Sequence, residues 1–276
     1  MKAHQFTSML VLCAALPFSI PAVAAEEGAK VDVVVNALLR DLAIYELLRE
    51  IPQTISDGLE QRKNEHRVLP ASHWEHLDTA TRDYFSEAAL TARVRALLAK
   101  DYDEGRFATL QRLLQSPLGK RLSASKRAAL APQASEAIRK FAKERHDKAP
   151  GPERASLYSQ LDDASADTEF FVATQALAIQ ALVRMADAAE RKNQDQEPEK
   201  KDILLRASYE QLLKPSKLTT RITYDYAFQE LPDDDLKLYI ELYRFGNMQW
   251  FLGKVMEALS TAMEQATAAA EQKLRQ

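Results

Sequence analysis

The sequence predicts an all-α protein made of two tandem, pseudo-equivalent multi-helix units, with about ten helices in all. Glycine is scarce, with seven among 276 residues, while strong helix formers such as alanine, leucine and glutamate are abundant. Apolar residues recur at spacings of three and four, and no alternating run bounded by turn residues predicts a strand. Two short blocks also occur twice in the same order, which indicates an internal duplication.

The duplication is read from two pairs of segments. Residues 42–49 (LAIYELLR) reappear as 177–184 (LAIQALVR), and residues 90–94 (LTARV) reappear as 218–222 (LTTRI). Each second copy lies roughly 130 residues after the first, a fixed offset that is typical of a repeated structural unit. We therefore expect residues 36–51 to superpose on 171–186, and residues 90–122 to superpose on 218–250.

The N-terminus is typical of a signal peptide over residues 1–25. Lys2 gives a short basic start, residues 9–20 are mostly apolar, and small residues favour cleavage near Ala24 or Ala25. The apolar run is shorter than the roughly 20 residues of a membrane-spanning helix. The sequence therefore predicts a periplasmic or secreted protein with no stable membrane insertion after cleavage. Cys13 is the only cysteine and is removed with this segment, which excludes disulfides and thiolate chemistry from the mature chain.

Prolines and capping residues divide the first unit, residues 26–147, into helices. Pro52 and Pro70 are expected to separate its early helices. Ser116 and Pro117 fit an N-cap followed by proline at the first helical position, and Pro132 should end or kink that helix.

A linker with a short helix, residues 148–166, should precede the second unit, residues 167–276, because two prolines flank Gly151. Within the second unit, the polar stretch 192–201 should be a loop. Pro215 should open a helix, and Pro232 should precede a helix whose first turn holds three aspartates.

One short motif resembles a known family. Ser116, Pro117, Gly119 and Lys120 lie between two apolar helical segments, and this arrangement is similar to the bacterial exported family called domain of unknown function 2059. Residues 238–246 are a degenerate second copy without the Ser-Pro pair. The resemblance implies an all-helical exported protein with no established activity, and it identifies no catalytic residues in this sequence. We interpret the motif as a structural corner; the alternative is a recognition surface on which Gly119 and Lys120 are exposed.

Arg93 and Arg221 occupy the same place in the two copies of the second block. An arginine at each place could form a bidentate pair with an acid that opens the next helix. The predicted partners are Asp103 or Glu104 in the first copy and Asp233 or Asp234 in the second, and a structural role is favoured over ligand binding.

Eight aromatic residues concentrate near the C-terminus: Tyr224, Tyr226, Phe228, Tyr239, Tyr243, Phe245, Trp250 and Phe251. Such a cluster most often forms core between helices. The alternative is an aromatic-lined groove for an apolar ligand or peptide, built from Tyr224, Tyr226, Tyr239, Tyr243 and Trp250.

Two other patterns could carry chemistry. His66, His73 and His76 lie close to Glu75 and Asp78, so a metal site is conceivable, although no recognised ligand spacing is present. Ser123 precedes Lys126 by three residues, as in serine–lysine hydrolases, but the other motifs of those enzymes are absent from the sequence.

No complete catalytic constellation is present in the sequence, and no cofactor is expected. The net charge of −3 provides no basic excess for nucleic-acid binding. The sequence therefore predicts a non-catalytic periplasmic interaction or scaffold protein whose partner is an unidentified envelope protein. The first alternative is a carrier of an apolar ligand or peptide in the second unit, and the second is a metal-dependent hydrolase.

Overall fold

The computed structural model describes residues 21–65, 70–145, 150–190 and 198–276, with the backbone alone for 21–27 and 198–205. These residues form twelve α-helices and no strand, which confirms the all-α prediction. The helices are α1 (Pro21–Asp41), α2 (Ile44–Glu65), α3 (Ala71–Phe85), α4 (Glu87–Lys100), α5 (Glu104–Leu114), α6 (Pro117–Leu130), α7 (Ala134–Glu144), α8 (Pro152–Ser165), α9 (Asp167–Ala189), α10 (Pro198–Phe228), α11 (Asp233–Arg244) and α12 (Gly246–Leu274).

Side-chain caps explain where several helices begin. The hydroxyl of Ser86 accepts the Ala89 N–H at α4, and a carboxylate oxygen of Asp103 accepts the Arg106 N–H at α5. Three aspartates occupy the first turn of α11, where the helix dipole stabilises negative charge. These starts follow local rules, because each depends on residues that are close in sequence.

Two proline predictions were wrong. Pro52 lies inside α2, and Pro215 lies inside α10, so neither separates nor opens a helix. A proline inside a helix removes one backbone hydrogen bond, but packing can offset that cost. Around Pro52, the apolar stripe of α2 continues on both sides through Leu48, Ile51 and Ile55, which are all buried. Burial of this stripe keeps the helix continuous through the proline.

Three other boundary predictions agree with the structure. Pro70 precedes α3, α6 runs from Pro117 to Leu130 and ends before Pro132, and α8 is the short helix expected in the linker. The predicted signal segment lies outside the described residues except for its last residues, 21–25, which begin α1. Of the expected polar loop 192–201, residues 192–197 also lie outside the described residues, whereas 198–201 form the start of α10, so the loop prediction is wrong for those four residues.

Helices from both predicted units share one hydrophobic core. Helix α9 packs against α2, α10 and α12, and α12 also packs against α3 and α4. One cluster of buried residues includes Leu48 and Leu90 from the first unit together with Phe170 and Phe251 from the second. The boundary near residue 148 therefore does not separate two cores.

The first repeated block does not have the same local structure in its two copies. Residues 42–49 begin in the turn between α1 and α2, where Ala43 adopts a left-handed φ of 62°, whereas residues 177–184 lie within α9. The expected superposition of 36–51 on 171–186 is therefore wrong. The second pair of segments has a matching helix order. Residues 90–122 run from α4 through α5 into α6, and residues 218–250 run from α10 through α11 into α12. The equivalence of the two units stays a prediction.

None of the helices in the described part of the chain combines the length and apolar character needed to cross a membrane.

Candidate functional site: a pocket between α2, α6, α9 and α10

A pocket of ≈ 110 Å³ lies where the α1–α2 turn meets α6, α9 and α10. Its lining therefore combines parts of the chain that are far apart in sequence. The lining residues are Leu42, Ala43, Leu47, Lys126, Leu130, Asp167, Phe171, Ser216, Thr219, Thr220, Thr223, Tyr224 and Ala227.

The walls of the pocket differ in polarity. Leucines from the α1–α2 region and from α6, together with Phe171, make one side apolar. Helix α10 contributes hydroxyl groups from Ser216, Thr219, Thr220 and Thr223, whose spacing of three and four places them on one helix face. A largely apolar ligand with one polar end could therefore make hydrogen bonds on the α10 side of the pocket.

A buried ion pair forms part of the lining. The Lys126 ammonium lies 2.6 Å from Asp167 Oδ1, and Lys126 is only 7% exposed. The same ammonium donates to Tyr243 Oη at 3.3 Å, and Tyr224 donates its hydroxyl to Asp167 Oδ2 at 2.6 Å. Both carboxylate oxygens of Asp167 are thus paired, which offsets the cost of burying its charge.

Further hydroxyl groups extend this network into the core. Ser165 Oγ lies 3.0 Å from Tyr224 Oη, and the hydroxyls of Tyr239 and Tyr243 are 3.2 Å apart. Nearby, Asp162 accepts the backbone N–H of Thr168 at 2.9 Å and its hydroxyl at 2.7 Å. The network therefore satisfies buried polar groups contributed by α6, α8, α9, α10 and α11.

The ionisation of these groups follows from their surroundings. Burial alone would lower the pKa of Lys126, but the charge of Asp167 and its hydrogen bond raise that pKa above its ordinary value. Burial raises the pKa of Tyr224 well above its ordinary value, with a further increase from Asp167. Burial also raises the pKa of Asp162, although hydrogen bonds from Thr168 oppose the shift. Lys126 is therefore an ammonium group and Tyr224 a neutral phenol at pH 7, so neither is poised as a general base.

The aromatic cluster is mainly core. Tyr224, Tyr239 and Tyr243 are each at most 3% exposed. Trp250 lies elsewhere, with its ring 5.9 Å from that of Phe107, and Tyr226 packs its ring on Phe141 at 5.5 Å. The alternative groove of Tyr224, Tyr226, Tyr239, Tyr243 and Trp250 is therefore not formed, because three of the tyrosines are buried in the core. Of these five residues, only Tyr224 lines the pocket.

The Ser116 motif forms the expected corner between α5 and α6. Ser116 Oγ accepts the Gly119 N–H at 3.1 Å and donates to the Leu113 carbonyl at 2.7 Å. Pro117 occupies the first turn of α6, Gly119 is buried, and Lys120 is exposed. The burial of Gly119 disagrees with the recognition-surface alternative, in which Gly119 would be accessible.

The predicted arginine pairs are wrong. Arg93 donates to the backbone carbonyl of Tyr84 at 2.8 Å, and its expected partner Asp103 instead caps α5. Arg221 is exposed and forms no ion pair within the described residues. Asp233 pairs with Arg154, which also donates to the Phe228 carbonyl and to Tyr158. Sequence spacing could not reveal Arg154, because α8 reaches α11 only through tertiary packing.

The fold assembles neither a metal site around the histidines nor a serine–lysine catalytic pair within the described residues. His66 lies outside the described residues, while His73 and His76 line a separate pocket beside Lys273 and Gln276. No group of three potential metal ligands from histidine, cysteine, aspartate and glutamate occurs within the described ranges. In a serine–lysine hydrolase the lysine would act as the base. Here Lys126 is instead a protonated ammonium group that forms an ion pair with Asp167.

Comparison of the chain with protein-family models, with curated proteins and with solved structures finds no significant match. The resemblance through the Ser116 motif therefore stays a prediction.

Proposed function

We propose that this protein is a non-catalytic binding protein that holds a small, neutral and largely apolar ligand in the pocket between α2, α6, α9 and α10. The observation that carries this proposal is a formed pocket with mostly apolar walls whose ionised lining groups, Lys126 and Asp167, are already paired. A signal-peptide sequence supports export, so we place this binding in the periplasm or outside the cell.

The pocket has a volume suited to one small apolar group. An enclosed apolar cavity of about 150 Å³ in another protein accepts benzene. The pocket here measures ≈ 110 Å³. A short alkyl chain or the end of an apolar side chain fits this space, and the hydroxyls of α10 would orient a polar end of the ligand.

Electrostatics favours a neutral ligand. Asp167 lines the pocket opposite the single positive charge of Lys126, and Asp162, which lies outside the lining, is close enough to help raise the pKa of Lys126. A ligand carboxylate would be repelled by these acids, and it would lose hydration on entering an apolar pocket. A ligand ammonium would compete with Lys126 for Asp167, whose two oxygens already have donors.

The same contacts support binding rather than catalysis. A general base needs a free basic atom, and an activated nucleophile needs such a base beside it. Lys126 is protonated, and the carboxylate of Asp167 accepts from Lys126 and Tyr224. The scaffold hypothesis stays a prediction; the pocket is preferred because it provides a defined place for a ligand.

Ligand titrations followed by two-dimensional amide NMR test the proposal. The probes are 1-hexanol, hexanoate and hexylamine, which share an alkyl chain and differ in charge. We expect 1-hexanol to shift amides of residues that line the pocket and hexanoate to bind at least about tenfold more weakly, because of the cost of burying its charge.

A pair of variants locates the binding. Ala227→Phe should fill the pocket and abolish 1-hexanol binding, whereas Ala128→Phe, on an exposed position of α6, should leave it unchanged. The proposal fails if 1-hexanol does not bind the wild-type protein, or if Ala227→Phe binds it as well as wild type does.

A further inference from the structure

A second pocket, of ≈ 270 Å³, lies where the end of α1 meets α6, and positive side chains dominate its lining. The residues that line it are Arg40, Asp41, Gln115, Lys120, Ser123 and Arg127. Three cations and one carboxylate give these residues a positive excess, although the chain as a whole carries a net charge of −3. Local charge of this sign attracts anions.

The one carboxylate in this lining is already paired. Asp41 Oδ1 accepts from Arg40 Nε at 3.0 Å, and its Oδ2 accepts from Gln115 Nε2 at 2.7 Å. Lys120 and Arg127 form no ion pair with a carboxylate anywhere in the described ranges. The negative charge of Asp41 is therefore balanced within the pocket, while the charges of Lys120 and Arg127 are not.

Ser123 provides an independent indication of a ligand. The residue is 2% exposed, it lines the pocket, and its Oγ has no hydrogen-bond partner among the described residues. A buried hydroxyl without a partner costs about 1–3 kcal/mol, and a bound ion is one way in which such a group is satisfied. A hydroxyl donor beside two cations is the arrangement that binds phosphate oxygens.

We propose that this pocket binds a phosphate-type oxyanion, which accepts a hydrogen bond from Ser123 Oγ and pairs with Arg127 and Lys120. Residues 120, 123 and 127 follow one face of α6, at spacings of three and four. The Ser116 corner fixes the start of that helix and so positions Lys120. The motif thus contributes to a ligand site in addition to forming a turn. This site is separate from the apolar pocket and does not depend on the function proposed for it.

Phosphate binding is tested by isothermal titration calorimetry and by thermal unfolding with inorganic phosphate at constant ionic strength. We expect saturable binding and a rise in melting temperature, because a ligand that binds only the native state stabilises it. Arg127→Gln should weaken binding about tenfold or more, since a hydrogen bond to a charged group is lost. Arg139→Gln, which removes an exposed arginine from α7, is the matched control and should bind as wild type does.

Ser123→Ala separates a ligand-binding role from a structural one. Without phosphate this variant should melt no lower than wild type, because the substitution removes an unpaired hydroxyl. With phosphate, its melting temperature should rise less than that of wild type. A Ser123→Ala variant that binds phosphate as tightly as wild type overturns the proposal, as does an Arg139→Gln variant that loses as much affinity as Arg127→Gln.

A second titration, with the soluble short-chain lipid dihexanoyl phosphatidic acid, distinguishes two sources of the oxyanion. Tighter binding of inorganic phosphate assigns the site to a free phosphate. Tighter binding of the lipid assigns the site to a phosphomonoester headgroup. Binding of neither overturns the proposal.

Discussion

Arg184 and Glu271 join α9 to α12 through two parallel hydrogen bonds, each 2.8 Å long. A third nitrogen of the guanidinium donates to Glu264 at 2.6 Å. The hydrogen bonding of Arg184 to the Glu271 carboxylate is the main reason why the pKa of Arg184 lies above its ordinary value, with burial acting in the opposite direction. Arg49, at the end of the matching block 42–49, makes a longer contact of 3.4 Å with Glu87. Both blocks therefore end on an arginine that contacts a glutamate of another helix.

Replacement of Arg184 should destabilise the fold substantially. Arg184→Gln removes the two hydrogen bonds to Glu271, whose side chain is 16% exposed, and the one to Glu264, and we expect a loss of about 3 kcal/mol in the free energy of unfolding. Arg139→Gln, which breaks an exposed pair with Glu136, should cost less than about 1 kcal/mol. Urea denaturation at pH 7 measures both variants, and equal losses would contradict the structural role of Arg184.

The two hydrogen bonds of the Ser116 side chain predict how much stability the protein loses when Ser116 is replaced. Ser116→Ala removes the acceptor of the Gly119 N–H and the donor to the Leu113 carbonyl. We expect the free energy of unfolding to fall by about 1 kcal/mol, the usual cost of an N-cap. Ser116→Asp, which retains a capping acceptor, should recover most of this loss in the same urea experiment. A Ser116→Ala variant as stable as wild type would contradict the corner interpretation.

Gly119 and Gly253 should respond in opposite ways to alanine. A Cβ atom at Gly119 would lie 2.5 Å from the Leu113 carbonyl oxygen and 2.6 Å from that of Leu114, so the backbone would have to move. We expect Gly119→Ala to lose about 1–3 kcal/mol through overpacking. Around Gly253, in the third turn of α12, no atom lies within 4 Å of an added Cβ apart from the adjacent residues and the backbone of the helix itself. Gly253→Ala should therefore gain up to about 1 kcal/mol from helix propensity, and thermal melts of the two variants should move in opposite directions.

The buried tyrosines predict a loss of stability at high pH. Burial raises the pKa of Tyr224 and Tyr239 well above the ordinary value of 10.0. Above pH 10 the unfolded chain therefore releases protons that the native protein retains, and stability falls as the pH rises. Each such tyrosine contributes a slope of up to about 1.4 kcal/mol per pH unit.

Tyr239→Phe provides the test of this slope. The hydroxyl of Tyr239 contacts only that of Tyr243 among the described hydrogen bonds, so the substitution removes a titrating group with little other change. Urea unfolding between pH 8 and pH 11 should show a shallower fall for Tyr239→Phe than for wild type. Parallel curves for the two proteins would show that Tyr239 ionises equally in the folded and unfolded states.

Parts of the candidate site could be anticipated from sequence, and parts could not. The Ser116 cap was predictable, because its partners lie within three residues along the chain. The aromatic cluster was correctly expected to favour core, but the groove alternative assumed that Trp250 lies beside Tyr239 and Tyr243. The sequence relates Lys126 only to Ser123, which lies three residues before it. Its actual partner, Asp167, begins a helix that is distant in sequence.

By itself, the sequence determined the helical class and most helix boundaries, because helix propensity, caps and apolar periodicity act over a few residues. Only the tertiary structure decided which prolines a helix tolerates, which helices share the core and which charges meet. Pro52 stays inside α2 because residues on both sides of it are buried, and Lys126 is paired because α9 brings Asp167 to α6. These outcomes depend on burial and electrostatics between distant segments, and neither can be read from local spacing.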